Sequence, residues 1–273
     1  MIRRSPADQK NPAIGDWSKW GQDKSNLEFF EEALEVMTQK CGLGTSGEMI
    51  ICLVGSRDIP GIHLRRAQSV LRWDRKPSLW SHALIIDASA RGKKKIGNLP
   101  IYEIPLFPRN GQFPSPAENG LVKSTLKLYN DAEIDPNVAM LVVGANATDK
   151  VGDLDEGCLK KLRERAKNPN FDRLRFDFWD SLCAWNKYIW SEGEDTNPLK
   201  AGVPISSAAY IEMIFEAIGL DLVPGASERH SAPEHIWSTA LWWLQNCTKK
   251  YNHNMAHAIS GCFLIRDAGC SSL

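Results

Sequence analysis

Three short apolar runs set the terms for this chain. "GEMIICLVG" (47–55), "SHALIIDAS" (81–89) and "NVAMLVVGA" (137–145) are aliphatic, brief and bounded by glycine, serine or asparagine. Each reads as a strand buried in a sheet. "LPIYEIPLF" (99–107) alternates enough to be a further strand, kept short by Pro100 and Pro105. Helical spacing governs much of the rest: 25–44, 61–73, 154–168, 176–190, the run after Ser206, and 232–251, where a proline falls in the first turn. "AISGCFLIRD" (258–267) reads as a last strand or a docked tail. Strands early and helices late predict an α+β fold with a mostly antiparallel sheet.

Composition removes several function classes. The 273 residues carry 33 Lys plus Arg and 33 Asp plus Glu, so bulk charge points to neither nucleic acid nor an anionic membrane. No window reaches the length of a membrane span. "MIRRSPADQKNPAIGDW" has two arginines but no apolar stretch behind them, so no secretory signal is expected. A protein cytoplasmic as synthesised fits, and so does one exported without a signal peptide. The seven cysteines form no CxxC pair, which argues against a disulfide framework or a zinc ribbon. No P-loop or dinucleotide fingerprint is present, and no cofactor is expected.

The chemistry-bearing stretches lie far apart in the chain. "GVPISSAAYIEMIFEAIGLDL" (202–222) predicts a helix with Tyr210, Ile211, Ile214, Phe215 and Ile218 on one face and Glu212 with Glu216 on the other. Ser206 and Ser207 open it. Unpaired N–H groups and the positive end of the helix dipole favour an anion there, and a cysteine in that place would have a lowered pKa. The plainer reading is that a serine before a helix is an ordinary N-cap. His82 opens a strand and shares a face with Leu84 and Ile86. Glu103 lies in the following strand and could orient the His82 ring through its second nitrogen. The plain alternatives are a core histidine and an exposed edge-strand carboxylate.

Together these stretches resemble the circularly permuted branch of the NlpC-type papain-like cysteine hydrolases, including the YiiX-like peptidases, with lecithin retinol acyltransferases more distant. In that branch a "GDI" strand opens the domain, "SH" opens the strand bearing the base, a strand with glutamate follows, and a late "CSxLV" helix ending in glycine bears the nucleophile. Here Gly47-Glu48-Met49, Ser81-His82 and Glu103 occupy the first three places. "FDFWDSLCAWNKYIW" (176–190) and "SAPEHIW" (231–237) flank the fourth. The resemblance covers about residues 47 to 240. It implies a papain-like domain over 47–245, an N-terminal helical extension over 1–46 and a C-terminal appendage over 246–273. It also implies a thiol-type nucleophile, His82 as base and then acid, and Glu103 as the orienting group. A peptide amide such as a cell-wall peptide is the expected substrate; an acyl ester or thioester hydrolase and an acyltransferase are the alternatives.

The chain departs from the pattern at the nucleophile. Counting from Gly219 puts the family cysteine at Ser207, and matching "CS" as a dipeptide puts it at Ser206. A cysteine-to-serine replacement that silences the enzyme, a natural pseudoenzyme acting as a binding module, and a true serine hydrolase all fit. None of the seven cysteines takes the place. His253 and His257 share a helix face but lack the glutamate of an HExxH motif, so no metal is expected. Trp179, Trp185 and Trp190 read as core, and Trp242-Trp243 as part of an exposed Trp-rich region that could meet a protein partner. "RGKKK" (91–95) reads as a solvated turn.

Overall fold

In a computed structural model, the described residues are 25–41, 49–109, 111–142, 156–168, 177–219, 221–224 and 230–246. Five strands form one sheet: β1 (Met49–Gly55), β2 (His82–Asp87), β3 (Pro100–Glu103), β4 (Val122–Thr125) and β5 (Asn137–Val142). Their order is β4-β3-β2-β1-β5, and every neighbouring pair is antiparallel. Six α-helices accompany it among the described residues: α1 (Asn26–Cys41), α2 (Ile59–Ala67), α3 (Glu156–Lys167), α4 (Phe178–Trp190), α5 (Ser206–Glu216) and α6 (Pro233–Asn246). The expected α+β class and antiparallel sheet are both present. No helix of the described residues is long and apolar enough to cross a membrane.

The central strands are continuous apolar runs because both faces of the sheet are covered. On one face Ile50, Cys52, Val54, Leu84 and Ile86 pack with Phe29 and Phe30 of α1. On the other, Ile51, Leu53, Ala83 and Ile85 pack with Ala208, Ala209 and Ile211 of α5 and Trp237 of α6. The period-two alternation of a strand sends neighbouring side chains to opposite covers. The helix expected within an N-terminal extension thus supplies part of the sheet's own core.

Some local expectations need correction. The strand expected over 99–107 stops at Glu103, because the Ile104 carbonyl bonds to a helix instead of to β2. β4 was not expected: "VKST" has one buried residue and no apolar run, and it forms by pairing with β3. Of the three α4 tryptophans only Trp185 is core; Trp179 and Trp190 are 46% and 78% exposed. At about 3.6 residues per turn Trp179 and Trp190, eleven apart, return to one face, and Trp185 falls on the opposite one. Glu212, expected with Glu216 on the face opposite the apolar residues, is buried and accepts a hydrogen bond from Ser231 Oγ. The "RGKKK" turn is solvated as expected, with residues 92–95 all exposed. Gly47, Glu48, the 258–267 segment, His253 and His257 lie outside the described residues, as do the side chains of Trp242 and Trp243 within α6.

Candidate active site

The site begins where β3 leaves β2. Ile85 pairs with Tyr102 and Ile86 with Ile101, a register that sets Ala83 opposite Ile104. The N-terminus of α5 enters that split. The Ala83 N–H donates to Ser207 Oγ at 3.2 Å, and Ser206 Oγ donates to the Ile104 carbonyl at 2.9 Å. The two hydroxyls take the main-chain groups that a longer ladder would have joined directly. The N-cap is Ile205, and no side chain caps the helix, so capping does not account for either serine. Both lie in the first turn and are almost wholly buried, at 0% and 1% exposure.

His82 stands at the start of β2, beside Ala83, with Val54 of β1 opposite. Its Nε2 meets Glu103 Oε2 at 2.6 Å, with side chains 12% and 1% exposed. Glu103 is therefore neither solvated nor on an open edge. The ring lies on the Leu84 and Ile86 side of β2, whereas Ala83 turns to α5. The structure brings Ser207 to the backbone beside His82, and Glu103 to the ring itself. Among the described residues no hydrogen bond joins His82 to either serine, and Nδ1 has no partner.

Three site residues gave no signal in the sequence. The Tyr129 hydroxyl bonds to the same Glu103 Oε2, and its ring stacks on His82 with centroids 6.0 Å apart and planes 12° from parallel. Arg109 lies 4.3 Å over the Tyr129 ring and pairs with Asp135. Burial, then the nearby Glu103 carboxylate, push the Tyr129 phenol well above its ordinary pKa. Burial pushes the Asp135 carboxyl up to about 6, against the opposing pull of Arg109. From α1, Asn26 Nδ2 donates to the carbonyls of Tyr129 at 2.9 Å, Asp135 at 3.1 Å and Asp131 at 3.3 Å. The covering helix thereby fixes the turn that presents Tyr129.

The other edge of the site is also tied down. The Ser56 N–H donates to Ser81 Oγ at 3.0 Å, and Ser56 Oγ donates to Asp58 Oδ1 at 2.7 Å. Asp58 in turn caps α2 by accepting from the Gly61 N–H. Cys52 is buried on the His82 side, and burial, with Asp135 and Glu103, raises its thiol well above the ordinary value. It is a core thiol without nucleophilic character. Among the described residues no group of three or more His, Cys, Asp or Glu side chains is placed to hold a metal.

Comparison of the chain with protein-family models, with curated proteins and with solved structures returned no match.

Proposed function

We propose that the chain carries the site of a permuted papain-like thiol hydrolase, with serine where the nucleophilic cysteine belongs, and that this serine form is hydrolytically silent. The observation that carries the reading is the placement of residue 207. It sits in the first turn of a helix, with a main-chain N–H aimed at its Oγ, next to the strand residue that follows a glutamate-bound histidine. A thiolate at that point would receive the Ala83 N–H and the α5 dipole, two stabilising influences. A hydroxyl there does not ionise without strong base assistance, and Ser207 receives no bond from His82.

In the cysteine form the sulfur of residue 207 attacks a carbonyl carbon. The C–S bond forms as the bond to the leaving group breaks. His82, whose ring must come round the first residue of β2 from the opposite face, passes the thiol proton to the leaving group, with Glu103 orienting it. Water then hydrolyses the acyl-thioester and restores the thiol. Residue 206 is the neighbouring choice of nucleophile. A peptide amide such as a cell-wall peptide is the favoured substrate, ahead of an acyl ester or thioester. The deciding experiment converts Ser207→Cys, and Ser206→Cys in parallel, and assays both against short peptide amides and an acyl thioester. Turnover in one variant that disappears on adding His82→Ala supports the reading. Two inert variants whose new thiols titrate like a free cysteine would overturn it.

One observation favours a second reading, a non-catalytic binding module. Both serine hydroxyls are spent on main-chain partners, so they hold the β2–β3 split together without any chemistry. The same two variants, found inert, would support it.

A further inference from the structure

The His82–Glu103 pair has a third member outside the motifs. We infer that Tyr129 is a positioning residue: by donating its hydroxyl proton to Glu103 Oε2, it holds that oxygen as an acceptor and thereby keeps the His82 proton on Nε2, leaving Nδ1 as the free base. The inference concerns the candidate site proposed above and deepens that reading.

Glu103 Oε2 meets both the Tyr129 hydroxyl and His82 Nε2. With Tyr129 held neutral, its O–H is a donor and Oε2 is the acceptor. His82 must then bring its own proton to the second bond, which defines the Nε2–H tautomer by hydrogen-bond logic. Nδ1 is left with a lone pair and no partner. Tyr129 is itself well located for the task. Its backbone carbonyl is tied to Asn26, and its ring packs against both His82 and the Arg109 guanidinium. A buried carboxylate oxygen that accepts two hydrogen bonds shares its charge between them, so a change in one alters the other.

The test reads the ring directly, by proton and nitrogen NMR of His82 in the full-length chain. Wild type should show a protonated Nε2 and an unprotonated Nδ1. Tyr129→Phe should strengthen the remaining bond and move the Nε2–H proton downfield, and the movement should vanish in a Glu103→Gln background. Fluorinated tyrosine keeps the ring and its packing but donates more strongly, so biosynthetic labelling should move the same proton upfield. The labelled protein provides the answer even where Tyr129→Phe fails to fold. A proton on Nδ1 in wild type, an Nε2–H signal unmoved by fluorotyrosine, or the same Tyr129→Phe displacement with Glu103→Gln would each overturn the inference. None of these readings needs turnover. An inert Ser207→Cys with the expected ring shifts would sink only the hydrolase reading, and an active one with no shifts would sink only the role of Tyr129.

Discussion

Ser207 Oγ receives the Ala83 N–H at the point in the sheet where Ile104 would otherwise pair. Serine at this position is thus a structural plug as well as a candidate for chemistry. Ser207→Ala leaves the Ala83 N–H buried without an acceptor, and the expected cost is about 1–3 kcal/mol. Ser206→Ala leaves the Ile104 carbonyl short of a donor and should cost less, because a carbonyl tolerates an open lone pair better than an amide tolerates an unmade bond. Urea titrations of the two variants check both the size and the order.

Ser207→Cys should produce a thiol more acidic than an unperturbed one. A drop of one unit in its pKa corresponds to about tenfold more thiolate at pH below both values. Ultraviolet absorbance of the thiolate, followed against pH, reads this without requiring a reagent to reach a buried sulfur. His82→Ala should return much of the acidity. A curve indistinguishable from that of a free cysteine, and unaltered by His82→Ala, would favour the binding module.

Glu103→Gln in an active cysteine form should lower kcat more than it raises KM, as expected of a group that orients a base instead of holding substrate. Equal changes in both would remove Glu103 from the orienting role.

Asp135 contributes a pH dependence with a definite sign. Burial raises its carboxyl from the ordinary 3.8 to about 6, so the folded protein binds that proton more tightly than the unfolded chain. The contribution is complete below the unfolded value and is lost as pH rises through about 4 to 6. Asp135→Asn cannot ionise, so the variant should gain on wild type by about 2–3 kcal/mol across that window. Chemical denaturation at several pH values measures it; a difference that does not vary with pH would contradict the shift.

Asn26 has one side-chain amide nitrogen for three loop carbonyls. Asn26→Ala should cost about 1–3 kcal/mol, the range for buried groups left unpaired. It should also raise amide hydrogen exchange in residues 129–135 more than in β1. Uniform loss across both segments would show that the amide stabilises the fold without fixing the turn.

The sequence made the sheet's centre legible because β1, β2 and β5 are apolar on both faces, a pattern that needs no partner to recognise. It made α5 legible through Tyr210, Ile211, Ile214 and Phe215, all buried. The rest depends on pairing across distance. β4 is four residues long and exists through its register with β3. Tyr129, Arg109 and Asp135 are single polar residues in turns, without periodicity, that meet only after the strands bring their loops together. His82 and Glu103 could be paired in advance because each sits in a readable strand. Their separation from the serines across the two faces of β2 follows from alternation, yet the split that admits α5 does not.

A side-chain carbon built at Gly55 would lie 1.8 Å from the Leu79 carbonyl oxygen, an overlap with backbone that no rotamer relieves. The strand end and the loop leading to His82 are therefore spliced through a hole the size of one missing methyl group. Any descendant that keeps this splice must keep glycine there, whichever of serine or cysteine it has at 207. Kinship to this chain is therefore better traced through Gly55 than through residue 207.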